Sequence, residues 1–231
     1  MKLPRIPVST LALALGMLPA LSLLSLLSLL SLLSLLSLLS GCFSGLNSKA
    51  APEQRYLLRA EIAKPSTAAA PAGTIEVLRP SASPGLVGSR IAVLRPGARI
   101  DYYANARWVE EAPALLQSQI IDALRTGGRF ATVESDTQPF AARYLLSVEI
   151  VSFQAQYSDA GAPAVLVTLN CTFGRRTDRS VIASFAAQGT AHASADRLEA
   201  VVAAFATATS QAMQQIADNI VPPVEDGAAG H

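Results

Sequence analysis

Few side chains in this 231-residue sequence have the types and spacing that do chemistry. There are two cysteines, Cys42 and Cys171, and two histidines, His192 and His231. His231 ends a Gly/Ala tail, and His192 sits in Gly189-Thr190-Ala191-His192-Ala193 with no second histidine to build a metal site. A Ser/His pair using His192 stays open, but no nucleophile-elbow glycine pattern accompanies any serine, so a structural histidine is favoured. Cys171, in Leu169-Asn170-Cys171-Thr172-Phe173, shares a strand face with Val165, Val167 and Phe173 and reads as a small buried hydrophobe in preference to a reactive thiol. Glu110-Glu111 precedes a helix start, where carboxylates complement the helix dipole, and Glu134 and Asp136 flank another predicted element. Gly127-Gly128 follows a helix and does not open one, so it is no phosphate loop. These residues predict neither catalysis, nor a metal, nor a dissociable cofactor.

Cys42 is different. It closes Leu39-Ser40-Gly41-Cys42, which resembles the bacterial lipobox: a branched apolar residue, two small residues, then the cysteine that is lipidated. Small side chains let a protease reach the bond between Gly41 and Cys42, and the thiolate takes a diacylglycerol as a thioether. The freed α-amine of Cys42 then takes a further acyl chain, such as palmitate, because one chain alone anchors only marginally. Ahead of it, residues 21–40 repeat Leu-Leu-Ser at a period of three, after a basic start at Lys2 and Arg5. A three-residue unit is too short for a packing repeat. At about 100° per residue each serine lags the previous one by about 60°, so the serines spiral and leave no polar face. The basic flank and the lipobox mark residues 1–41 as a lipoprotein signal peptide, the alternative being an uncleaved anchor with a free Cys42. No aspartate follows Cys42, the pattern sorted to the outer membrane of Gram-negative bacteria. Residues 42–53 then form a lipidated tether, spanning up to roughly 35 Å at about 3.3 Å per residue.

The whole chain has 18 Lys+Arg against 17 Asp+Glu. Loss of Lys2 and Arg5 with the leader leaves 16 against 17, giving no electrostatic reason to bind nucleic acid. Partner chemistry is concentrated in aromatics. Tyr102, Tyr103 and Trp108 lie in one segment with Asn105 and Arg107, and rigid aromatics with polar tips anchor interfaces. They form the candidate partner-binding group. For Trp108 the core-plug reading is the stronger, while for the tyrosines both readings stand.

The elements that must position these residues follow from periodicity. Gln54–Ala60 predicts a first strand, and Thr74–Leu78, inside an Ala/Pro/Gly/Ser-rich stretch, predicts a short strand or only an extended insert. Further strands are expected at Ser89–Leu94, continuing at Ile100–Tyr103, and at Phe130–Val133, Tyr144–Tyr157, Val165–Phe173 and Val181–Ala187. Apolar positions in Tyr144–Tyr157 change from even to odd, predicting a bulge near Ile150-Val151. Helices are predicted at Pro113–Thr126, with Leu116, Ile120 and Leu124 stacked, and at Asp196–Ile220, with an Asp196/Glu199 capping box. The expected domain is α+β over residues 54–221, a mainly antiparallel sheet with two helices packed on one face, followed by a disordered tail at 222–231.

Ile91-Ala92-Val93, the tyrosine segment, Arg107-Trp108 leading into a Pro-containing helix, Arg143-Tyr144-Leu145-Leu146 opening a long strand with Phe153, the meander and the C-terminal helix together resemble the ABC-type transport auxiliary lipoprotein family, the PqiC-like group. The resemblance implies a non-catalytic, periplasm-facing, outer-membrane lipoprotein. It would dock an MCE-domain protein and its ABC transporter components in a system moving lipids or other hydrophobic molecules between membranes. A carrier or chaperone holding an acyl chain in an apolar pocket is the alternative. Cys42 is the one position the resemblance assigns a role.

Overall fold

The structure, a computed structural model, describes residues 25–31, 34, 52–63, 71–138, 141–158 and 161–223. The chain divides into two compact units, Met1–Ala51 and Pro52–His231. In the first, residues 25–31 are helical. There the Ser28 hydroxyl donates to the Ser25 carbonyl and the Ser31 hydroxyl to that of Ser28, each at 2.9 Å. The period that spreads serines around a helix thus lets each bond back to the one before it, while Leu26, Leu27, Leu29 and Leu30 stay exposed. Among the described residues no helix is long and apolar enough to cross a membrane. Cleavage at Gly41, lipidation of Cys42, the tether through residue 51 and the tail from 224 lie outside the described residues.

The second unit contains, among the described residues, a nine-stranded sheet. Its elements are β1 (Gln54–Tyr56), β2 (Ala72–Val77), β3 (Ser81–Ala82), β4 (Arg90–Arg95), β5 (Arg99–Trp108), α1 (Ala112–Gly127), β6 (Phe130–Ser135), β7 (Tyr144–Gln156), β8 (Ala164–Arg175), β9 (Val181–His192) and α2 (Leu198–Asn219). The sheet is mostly antiparallel because the longest ladders are, β7 with β8 and β8 with β9. Its centre is β7. One edge pairs with β8 along its length, and the other takes β2, β3 and β4 in turn, all parallel. The predicted bulge is present: pairing with β8 steps from Ile150 to Ser152, leaving Val151 unpaired and exposed. Tyr144, Leu146, Val148 and Ile150 are buried before it, and Phe153 and Ala155 after it.

Of the two readings left open for the 74–78 stretch, the strand holds: β2 lies between β6 and β7 with Ile75 and Val77 fully buried. One expectation needs correction, since the first strand is short. Beyond Tyr56 the chain leaves the sheet and runs across the helices, its main-chain N–H groups donating from Ala60 to Gln119 at 2.7 Å, from Glu61 to Ser210 at 2.8 Å and from Ala63 to Gln214 at 3.1 Å. Leu58 is buried beneath this strap.

Helix α1 carries proline in its first turn, where a missing N–H costs nothing, and ends on Gly128 at φ 64°, as Gly127-Gly128 predicted. It packs on β6 and β2, α2 packs on β9 and β8, and the helices touch each other. Helix α2 lays Ala200, Ala204, Ala208 and Ala212, spaced by four, along its buried face. These small residues bring it so close to β9 that a Cβ on Gly189 would lie 1.8 Å from the Ala208 carbonyl oxygen. Along the outer edge of β9, the Gln188 N–H donates to Gln215 at 2.9 Å, Gln215 donates back to the Gln188 carbonyl at 2.6 Å, and the Thr190 N–H donates to Gln211 at 2.9 Å.

Candidate partner-binding site

The segment singled out for its aromatics is a large irregularity in the β4–β5 hairpin. Arg90 pairs with Arg107, but the next pair is Ala92 with Tyr102, so β5 carries extra residues against β4. Asn105 takes φ 52° in this bulge, a conformation asparagine tolerates better than most residues. β1 adds alongside, with Gln54 opposite Ala106 and Tyr56 opposite Trp108, and Arg107 forms an ion pair with Glu53. Together they enclose an open cleft of about 370 Å³ lined by Glu53, Arg90 and the run Asp101–Arg107.

The two tyrosines point to different supports. Tyr102 donates its hydroxyl to the Gly85 carbonyl at 3.1 Å, and the Arg90 guanidinium lies 3.5 Å from its ring centroid. Tyr103 shares a hydrogen bond of 3.0 Å with the Tyr157 hydroxyl, which donates to the Asp196 carboxylate at 2.6 Å. The Arg95 guanidinium stands 5.0 Å from the Tyr157 ring centroid and bonds Asp101 at 3.1 Å. Burial, then the hydrogen bond to Asp196, pushes the Tyr157 phenol well above its usual range. Burial also raises Tyr103, against the opposing effect of its hydrogen bond with Tyr157. Both phenols therefore remain protonated at physiological pH, their hydroxyls engaged with each other and with Asp196.

Asp196 overturns one expectation. Helix α2 starts after Arg197 with no side-chain cap, so the Asp196/Glu199 capping box does not form. Asp196 instead ties the approach to α2 to the Tyr103–Tyr157 pair. Sequence reading counted Tyr157 as one more apolar strand position and missed this link. The signal available was a tyrosine followed by Ser158 and Asp159, where an apolar strand would end on an aliphatic residue.

Trp108 must be removed from the partner-binding group. It is 1% exposed, with its ring centroid 5.7 Å from Phe153 and 5.1 Å from Phe205, and it plugs the core. Cys171 is likewise buried, and desolvation pushes its thiol up to about 12, which leaves it unreactive. His192 is exposed at the end of β9, opposite Ala164. Glu111 precedes the first residue of α1 and bonds Arg79 at 2.8 Å, without capping the helix through its side chain. Burial works to raise the Asp136 carboxyl, but hydrogen bonds from the Arg79 N–H and Gln117 outweigh it and hold that acid below its ordinary value. Among the described residues no group of histidines, cysteines and acids is placed to hold a metal.

A second cleft, of about 550 Å³, lies between α1 and the β6 edge and is lined by Ser118, Asp122, Arg125 and Gln138 among others. Both clefts are open and mainly polar, unlike an acyl-chain pocket.

The family model of the ABC-type transport auxiliary lipoprotein component matches residues 56–217. The chain belongs to this family. As an auxiliary component of transport it is a transport-associated lipoprotein, and the match runs from the last residue of β1 through β2–β9 and most of α2. Its fold is similar to that of protein XCC0632 from Xanthomonas campestris, of family DUF330, at TM-score 0.65 and 24% identity over 71% of this chain and 92% of that one. It is also similar to a crystal structure of an uncharacterized protein, at TM-score 0.59 and 15% identity over 74% of this chain and 99% of that one. No curated protein matches the sequence. The auxiliary lipoprotein family thus accounts for the unit that carries the tyrosine cleft.

Proposed function

We propose that this auxiliary lipoprotein is held in the outer membrane by a diacylglycerol and an N-acyl chain on Cys42, faces the periplasm, and docks an MCE-domain protein and its ABC transporter without catalysing a reaction. The observation that carries this reading is the family match over residues 56–217. The Asp101–Arg107 bulge supplies a fitting contact. It is a preformed cleft that offers tyrosine rings, neutral phenols and an ion-paired rim, the mixture found at the centres of protein interfaces. Glu53, on that rim, stands eleven residues after Cys42. A docking surface there would sit where the tether joins the folded domain.

Affinity capture of the full chain from its native membranes tests the reading. An MCE-domain protein and a permease should be recovered, and Tyr102→Ala with Tyr103→Ala should lower that recovery by about tenfold, the cost of losing an interface anchor. Wild-type capture without any MCE-domain protein refutes the docking role. Undiminished recovery with the double variant removes the bulge from it. The intact mass of the membrane form should correspond to a chain starting at acylated Cys42, and a retained leader would refute the anchor.

A further inference from the structure

Strands β7, β8 and β9 turn one face to the core and leave the other open. On the core side of β8, Val165, Val167, Leu169, Cys171 and Phe173 are buried. The residues between them, and those paired with these on β7 and β9, point the other way. Not one of these outward residues is buried, so among the described residues nothing packs over this face. From Ala164 to Gly174 on β8, with a strand on each side, it is a strip about 30 Å long and about 10 Å wide.

The strip is nearly free of charge. Its middle presents Thr168, Asn170 and Thr172 on β8, beside Ser184, Gln188 and Thr190 on β9. β7 adds serines and glutamines and a single acid, Glu149, whose carboxylate already accepts from Asn170 Nδ2 at 3.2 Å. Surfaces built only for water carry about 25–35% charged side chains, yet Glu149 is the one Asp, Glu, Lys or Arg on this strip. A face that becomes covered has reason to avoid charge, because burying an unpaired charge is costly, and short side chains lose little freedom when they are covered. The same residues say what the cover is. Protein partners are anchored on tyrosine, tryptophan or arginine, and the strip has none of them. Anionic membranes and nucleic acids call for lysine and arginine, which are equally absent. An acyl chain calls for continuous apolar surface, where this strip has mostly hydroxyls and amides. The ligand that fits is uncharged, extended and itself rich in hydroxyl groups.

We propose that the open face of β7, β8 and β9 binds an uncharged glycan chain laid along β8. Serine and threonine hydroxyls both donate and accept, as sugar hydroxyls do, and the Asn170 and Gln188 amides do the same. Without an aromatic ring to stack on, each sugar is held weakly. Binding therefore depends on a polymer that meets several positions at once. The site uses neither Tyr102 nor Tyr103 and is independent of the docking role proposed above.

The test is co-sedimentation of the detergent-solubilised full chain with two insoluble neutral polymers. Chitin offers acetamide and hydroxyl groups, and cellulose offers hydroxyls alone. The wild type should sediment with at least one of them, and which one assigns the class of sugar. Thr168→Ala, Asn170→Ala and Thr172→Ala combined should lower retention about fivefold or more, since several weak contacts are lost together. Thr168→Ser with Thr172→Ser keeps the hydroxyls and should keep the retention. Circular dichroism checks that the triple variant is folded; if it is not, Asn170→Ala alone should cost about threefold, the loss of one exposed hydrogen bond. Tyr102→Ala with Tyr103→Ala should leave retention unchanged, which separates this site from the docking cleft. A wild type retained on neither polymer, or retention that the alanine variants keep, overturns the proposal. So does a photoreactive residue in place of Asn170 that cross-links to a protein in native membranes.

Discussion

The seam between α2 and β9 and the bulge of β5 obey opposite rules. At the seam a ridge of alanines faces Gly189, main chain lies against main chain, and glutamines from the helix complete the strand's hydrogen bonds. At the bulge the ladder is broken, side chains carry the contacts, and two adjacent tyrosines reach to Gly85 and Tyr157 on different parts of the fold. One region excludes everything but itself. The other holds polar and aromatic groups open around a cleft. In this transport-associated lipoprotein a rigid sheet thus carries a place where the sheet is left unfinished.

The sharpest way to break the contrast is to add one methyl group to the seam. Gly189→Ala should destabilise the fold by about 3 kcal/mol or more, the upper end for overpacking, because the obstacle is helix backbone that no rotamer change can move. Denaturant unfolding of the variant measures this, and a loss below about 1 kcal/mol would show that the seam is looser than its geometry. Next in size is the double change Gln211→Ala with Gln215→Ala. It removes three hydrogen bonds to an exposed edge that water can partly replace, so about 1–2 kcal/mol is expected. Hydrogen exchange should quicken at Gln188 and Thr190, the two amides those side chains accept from. Unchanged exchange there would mean that the glutamines decorate the edge without closing it.

The seam was far more legible in the sequence than the bulge, for a physical reason. A helix or strand buried along one face repeats its pattern, so α1, α2 and the long strands β7 and β8 stand out, and a change of phase sufficed to locate the bulge at Val151. Even here the large residues drew attention from the alanine ridge, which sets how close the helix comes. β2 was obscured because its flanks are rich in Pro, Ala and Gly, and because a parallel partner distant in sequence leaves no hairpin signal nearby. At the β5 bulge no period exists to be read. Tyr102 and Tyr103 could be named as candidates from their chemistry, but their partners come from loops and strands 17 and 54 residues away. Asp196 shows the same limit: its spacing to Glu199 fits a capping box, yet the folded chain offers it a phenol at 2.6 Å and that contact prevails.

Within the bulge, Tyr157 tests whether the polar array is built in or incidental. Tyr157→Phe keeps the ring beside Arg95 and removes the hydroxyl that joins Tyr103 to Asp196. A hydrogen bond to a partly exposed carboxylate is worth about 1–2 kcal/mol, so the loss should be modest and smaller than at the seam.

The smallest effect is on pH dependence, and its sign is fixed. Folding raises the Tyr103 and Tyr157 phenols above their usual value of 10.0, so the folded chain holds those protons more tightly than the unfolded chain. Their contribution to stability is complete below about pH 10 and declines as the pH rises from there towards the folded values. Spectrophotometric titration of the folded chain should show Tyr103 and Tyr157 ionising above pH 10, and Tyr157→Phe should flatten the alkaline fall in stability. If Tyr103 and Tyr157 instead ionise near pH 10 in the folded chain, the Tyr103–Tyr157–Asp196 array does not persist in solution, and the contrast with the seam reduces to one between order and mobility.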